Sequence, residues 1–240
     1  MSHLHYLPLS PSLFAILGGI YLVVVALIQV GILRYAYTRL GVGPGVALLL
    51  LLGSLLGSYF NIPVAHLDGQ QVLMHREVDF FGMRYAVPVE VDWPGTIIAV
   101  NIGGAVIPFA MSLYLLVKNE LWVLGAIAIA CVAALVHMVA YPVRGLGIAM
   151  PVFVPGITAG IVAIILSRRY AAALAYIGGC MGTLVGADLL NLDAIQRMGA
   201  PVASIGGAGT FDGIFMTGIV AVLIASLSGP PRQVSQPMPR

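Results

Sequence analysis

Long apolar runs separated by short polar breaks set the pattern of this chain. A helix that crosses a bilayer needs about 20 mostly apolar residues, and seven segments meet that length: 12–33, 43–64, 96–117, 121–141, 148–167, 170–192 and 205–228. One substantial polar stretch interrupts the series, HLDGQQVLMHREVDFFGMRYAVPVEVDWP at 66–94. There, charged residues mix with Val, Phe and Tyr on both sides of a Phe-Gly pair, which predicts a β-hairpin outside the membrane turning near Gly82. The proline-rich end, SGPPRQVSQPMPR, predicts a disordered tail over 229–240. The expected architecture is an all-α membrane protein: a single transmembrane domain over 1–228, a bundle of about seven helices, with one small extramembrane hairpin.

Composition sharpens this picture. Of 240 residues, 60% are hydrophobic and 8% charged, whereas a soluble domain carries about a quarter charged residues. The net charge of +2 comes from basic and acidic residues scattered at segment ends, so no basic patch points to nucleic acid. Cys131 and Cys180 fall inside apolar runs, where a thiol behaves as a small hydrophobe. The start, MSHLHYLPLSPS, lacks the basic region and cleavage site of a signal peptide, so the first apolar segment is expected to be retained as a span.

Charge also predicts orientation. With seven spans, Arg76, Arg84, Arg144 and Arg197 share a side with the N-terminus. Arg34, Arg39, Lys118, Arg168, Arg169, Arg232 and Arg240 lie on the other. Cytoplasmic loops carry the excess of Lys and Arg. The N-terminus and hairpin are therefore expected outside, and the C-terminus in the cytoplasm, of a cell (inner) membrane.

Small residues recur at four-residue spacing: Gly53 and Gly57, Gly156 and Gly160, then Gly178, Gly182 and Gly186. Such spacing lets helix backbones approach closely, and the longest series predicts a central sixth span. The prolines and glycines of YPVRGLGIAMPVFVP, 141–155, predict an irregular or kinked start to the fifth.

Topology gathers the polar residues into a layer. Asn101 lies near the outer start of the third span and His137 near the outer end of the fourth. Asp188 and Asn191 approach the outer end of the sixth, and Thr210 and Asp212 the start of the seventh. At about 1.5 Å per residue, Asp188 is roughly 6 Å from a span end at Leu192, and Asp212 roughly 10 Å from a start at Ile205. An ionised aspartate at the centre of a membrane helix costs about 2.5–3.5 kcal/mol, so two at one depth must face protein or water. Facing each other, they repel and tend to share a proton. Helix capping accounts for Asp212 alone, but Asp188 sits near a helix C-terminus, where the helix dipole disfavours a negative charge. Asp193 suits a loop or a short amphipathic turn.

Other chemistry finds little footing. His66 and His75 flank the hairpin without partners that complete a metal set, and no phosphate loop, dinucleotide fingerprint or G-x-S-x-G elbow occurs. Neither a metal nor another cofactor is expected. Ser204 beside His137 is the one conceivable serine pairing, and a lone His137 suits hydrogen-bonded packing better than a ligand's role.

Two fragments, VGADLLNL (185–192) and SIGGAGTFDGIFMTGIVAVLIA (204–225), resemble those of an uncharacterised prokaryotic membrane family catalogued as domain of unknown function 1614. The second is also similar to the Gly-x-Gly-Asp signature of intramembrane aspartyl proteases, the presenilin and signal-peptide-peptidase group. Gly207, Ala208 and Gly209 match Gly-x-Gly, with Asp212 in the place of the catalytic aspartate. That family's partner aspartate lies on the preceding span, which here implies Asp188. Thr210 and Phe211 interrupt the motif, Ala187 stands where the family often has tyrosine, and no Pro-Ala-Leu follows.

Three functions remain open. In a protease, Asp188 and Asp212 would activate water against a membrane-helix peptide. Gly206, Gly207, Gly209 and Thr210 would line the approach of that substrate, with Asn101, His137 and Asn191 nearby to bind or polarise it. A proton- or cation-coupled transporter, or a small-solute channel, would use the same aspartates. A non-catalytic scaffold would use the hairpin for docking. Among these residues, NIGGAVIP (101–108) and SIGGAGTF (204–211) form a faint parallel repeat.

Overall fold

The computed structural model describes residues 30–32, 34–69, 71–80, 83–92, 94–143, 147–151, 153–196, 201–207 and 213–227. All but the end of the expected first span, and the whole 229–240 tail, lie outside them. In chain order come α1 (Pro44–Gly57), β1 (Asn61–Asp68), β2 (Gln71–Phe80), β3 (Met83–Asp92) and β4 (Gly95–Asn101). A π-helical turn (Ile102–Val106) leads into α2 (Ile107–Asn119), followed by α3 (Trp122–Val139), β5 (Tyr141–Val143), β6 (Gly147–Ala149) and α4 (Phe153–Leu166). Next, α5 (Ala171–Thr183) continues through a π-helical turn (Leu184–Asp188) and a 3-10 turn (Leu189–Asn191) into α6 (Leu192–Gln196). Last are β7 (Val202–Ile205) and α7 (Gly213–Ser226).

Among the described residues the chain is mainly helical, and three helical stretches are long and apolar enough to cross a membrane: Ile102–Asn119, Trp122–Val139 and Ala171–Ala194. Several expected spans are shorter and start or end as strand. The segment 43–64 is helical only to Gly57 and becomes β1 at Asn61. Pro63, six residues past that stop, bars any continuation of the helix through 59–63, since proline removes a helix hydrogen bond and clashes with the carbonyl four residues before it. The segment 96–117 opens as β4, where Thr96, Ile97, Ile98 and Val100 are β-branched and suit a pleated strand. Pro108 lies at the junction of the π-helical turn and α2, where its missing N–H leaves a carbonyl of the preceding turn without a helix partner. The fifth expected span, 148–167, opens inside the β5–β6 pair and turns helical only at Phe153. In 205–228, Ile205 ends β7 and the described helix starts at Gly213.

Three strands from distant parts of the chain form one sheet in the order β1–β4–β7. β1 and β4 are antiparallel from Asn61↔Asn101 to Asp68↔Gly95, with an irregularity between Pro63 and Ala65. β4 and β7 are parallel, Ile97↔Val202 through Val100↔Ile205. A parallel pair requires a long crossover, supplied here by the helices α2 to α5. The two faintly repeated fragments NIGGAVIP and SIGGAGTF thus leave the same end of adjacent parallel strands. β2 and β3 pair with each other from Gln71↔Asp92 to Phe80↔Met83, leaving positions 81 and 82 between them, where the hairpin turn was expected.

The core gathers around α5, whose residues from Ala173 to Cys180 are all buried. Its glycines allow the approach. A Cβ on Gly178 would meet Ala128 at 3.2 Å and one on Gly182 would meet Val132 at 2.7 Å, while Gly186 lies against the backbone of Ala133. These positions dock one face of α5 and its π-helical extension on α3. Gly156 and Gly160 of α4 accept Val220 and Ile224 of α7 in the same way.

Candidate functional site around Gly206

β7 ends at a tight turn in which the Gly207 N–H donates to the Ser204 carbonyl at 3.2 Å. Gly206, inside that turn, has φ +77°, in the left-handed region that favours glycine. Its N–H donates to Asp188 Oδ2 at 2.9 Å. A Cβ on Gly206 would lie 2.7 Å from the Ala105 N and Cβ and 2.8 Å from the Gly104 carbonyl carbon. The two π-helical turns, 102–106 and 184–188, therefore converge on one glycine. Such turns occur mostly as single insertions in α-helices, frequently at functional sites.

Asn101 builds the first of these turns. Its Oδ1 accepts from the Gly104 N–H at 2.9 Å, capping the π-helix. Its Nδ2 donates to the Ser58 carbonyl at 2.7 Å and to Asn61 Oδ1 at 3.1 Å. Ser204 Oγ donates to the same Asn61 oxygen at 2.5 Å. With three internal hydrogen bonds and 2% exposure, Asn101 ties α1, β1 and β4 together, and Ser204 adds β7.

A second polar pair lies on the other side of Asp188. Asn191 Nδ2 donates to the Gly186 and Ala187 carbonyls at 3.0 and 2.9 Å, satisfying groups that the π-helical turn frees. It also lies 3.3 Å from Nδ1 of the exposed His137. His137 thus meets Asn191, and Ser204 meets Asn61; the conceivable Ser204–His137 pairing is not among the bonds that form.

Of the residues singled out from sequence, the structure brings Asp188 and Gly206 into direct contact, places Gly207 in the same turn, and joins His137 to Asn191. Asn101 reaches the group through Ser204 and through the Gly104–Ala105 backbone against Gly206. Gly209, Thr210 and Asp212 lie outside the described residues, with Asp212 immediately before α7. The chain on either side is anchored: Gly206 at Asp188, and the Ile214 carbonyl 3.8 Å from Cys180 Sγ. These anchors are eight positions apart on both partners, so the ends of the 207–213 connection bracket one stretch of α5 and its π-helical turn. Asn61 is not singled out by the sequence reading because it falls within an expected span; the polar cluster in SYFNIP, 58–63, is its signal.

Mainly helical architecture, three span-length apolar helices and a carboxylate held at a strand end define a class of protein compatible with a membrane. The chain belongs to the family described as protein of unknown function (DUF1614), whose model matches residues 55–224. No curated protein and no solved structure matches it.

Proposed function

We propose that this chain is a multi-pass protein of the cell membrane, with about seven spans, N-terminus and hairpin outside and C-terminus in the cytoplasm, acting as an aspartyl-type intramembrane protease. The observation that carries the reading is the Asp188 carboxylate fixed at the end of β7 by the Gly206 N–H. Among the described residues β7 has one strand neighbour, β4, so its other side is an edge. An edge strand offers its backbone N–H and C=O groups to an extended peptide. A substrate paired there runs its peptide bonds past Asp188, unwound from the helix that would otherwise shield them.

The chemistry needs one ionised and one protonated carboxylate, supplied by Asp188 and Asp212. The ionised group takes a proton from water, whose oxygen attacks the peptide carbonyl carbon, while the protonated group gives its proton to the carbonyl oxygen. Collapse of the resulting diol breaks the C–N bond, and the leaving amine takes up a proton from the carboxyl pair. Asp188→Asn and Asp212→Asn should each abolish cleavage of a membrane-helix substrate in proteoliposomes while the protein remains folded. Retained cleavage in either variant refutes the reading.

One observation favours transport as a second reading. α1, α4 and α7 have 14 residues each, about 21 Å at 1.5 Å per residue. Interrupted helices at the depth of buried polar groups also build carrier sites. Proton or solute flux lost in the same aspartate variants, without cleavage, supports transport instead.

A further inference from the structure

A cavity of about 400 Å³ lies between α1, α2 and residues 41–43. Its walls are Val42, Val46, Leu50, Ile107, Ala110 and Met111, with Tyr114 and Gly41 at the rim. Val46, Ala110 and Tyr114 are exposed, so the slot opens sideways from the helices. Its volume lies within the range of small-molecule pockets, yet it offers almost no polar group to a water-soluble ligand.

The polarity is all at the rim. Lys118 Nζ donates to the Gly41 carbonyl at 3.3 Å, and its ammonium stands 5.2 Å from the centre of the Tyr114 ring. Two positions before Gly41, the exposed Arg39 packs its guanidinium on Tyr35, 5.1 Å from the ring centre. Arg34, also exposed, precedes it on the same helical stretch. The acidic residue in this neighbourhood, Glu120, follows Lys118 at the end of α2. The slot is thus apolar in depth and cationic at its mouth.

We propose that it binds an anionic phospholipid, one acyl chain in the slot and the phosphate beside Lys118. A basic mouth between helices on the cytoplasmic side suits such headgroups, and the charge count assigns Lys118, with Arg34 and Arg39, to that side. A docked protein helix fits less well, because one turn about 10 Å across and 5.4 Å high already occupies about 420 Å³. The inference rests on the membrane location but not on proteolysis.

The test uses the full chain in nanodiscs of equal phosphatidylglycerol and phosphatidylcholine with matched acyl chains, followed by native mass spectrometry of the lipids retained after delipidation. Phosphatidylglycerol should be retained in preference to phosphatidylcholine. Lys118→Gln should weaken that preference roughly fivefold, and Ala110→Phe, which fills the slot, should displace the retained lipid. Lys118 is exposed, and Lys118→Gln gives up its bond to the Gly41 carbonyl and its charge over Tyr114 while leaving the apolar walls intact, so the outcome does not depend on the bulkier variant folding. Equal retention of both lipids, a preference unchanged in Lys118→Gln, or a co-purifying polypeptide in the slot overturns the proposal. A chain that stays soluble without detergent would instead refute the membrane location itself.

Discussion

Substituting Gly206 by alanine tests the convergence of the two π-helical turns directly. At φ +77°, a side-chain-bearing residue costs about 1–2 kcal/mol, because the left-handed backbone brings Cβ against the carbonyl oxygen. The new methyl would also lie 2.7–2.8 Å from backbone and Cβ atoms of Gly104 and Ala105. Those atoms cannot rotate away, and over-packing of this kind costs about 1–3 kcal/mol. The expected loss is therefore about 2–5 kcal/mol, a large part of a typical total stability of roughly 5–15 kcal/mol. Gly207→Ala is the control. Its methyl would meet the Ser204 side chain rather than backbone, the hydroxyl most closely and Cβ at 2.9 Å; the hydroxyl can swing away at the cost of its bond to Asn61, about 1 kcal/mol, which leaves one tight contact against the several at Gly206. Denaturant titration of the purified protein in detergent, followed by circular dichroism, measures both. A loss below about 1 kcal/mol in Gly206→Ala, or an equal loss in Gly207→Ala, refutes the geometry.

Other substitutions test the neighbouring contacts. Asp188→Asn keeps an oxygen to accept the Gly206 N–H, so its stability in the same titration should stay within about 1 kcal/mol of the parent, separating any loss of activity from unfolding. Asn101→Ala removes bonds to Ser58 and Asn61 and the cap on Gly104; at about 1 kcal/mol per bond the loss should be about 3 kcal/mol. Gly182→Val should give little folded protein in size-exclusion chromatography, because its Cβ alone would lie 2.7 Å from Val132. Replacing residues 70–93 by Asn-Gly should leave the melting temperature within a few degrees of the parent: β2 and β3 pair only with each other among the described strands, and Asp68 already faces Gly95 across the β1–β4 ladder. A large drop in melting temperature would show that the hairpin supports the helices.

Apolar segments and the hairpin were legible because hydropathy and turn chemistry are local. The three-stranded sheet was not, since GTIIAVN and VASI are as apolar as any helix and too short for periodicity to distinguish strand from helix. Their pairing also links Ile97 to Val202, across the whole crossover. At the site, a common depth for Asp188, Asn191, His137 and Asn101 could be counted along the expected spans, but not what each side chain bonds. Asn101 appeared from sequence as a polar residue in an apolar run, with no indication that it caps a π-helical turn. The glycine cluster at 206–209 stood out, yet the positive φ of Gly206 depends on where β7 ends, and no local signal marked that strand.

Under the proposed seven-span topology, the short helices and the sheet address one problem together. A 14-residue helix of about 21 Å falls short of a hydrocarbon core of about 30 Å. In chain order each such helix has a strand beside it: α1 precedes β1, α4 follows β6, and α7 follows β7. A strand rises about 3.3 Å per residue, so under that topology the four residues of β7 would add roughly 13 Å to the length of α7. Extended backbone at membrane depth is tolerated only where its polar groups are paired, buried in protein or wet. The β1–β4–β7 ladder pairs them on one side of β7, while Asp188 binds the N–H just beyond its end. Among the described residues no strand pairs with the other side of β7. Under the proposed function, the strand that would complete a short span is therefore also where a second extended chain would gain most by binding, next to the carboxylate proposed to act on it.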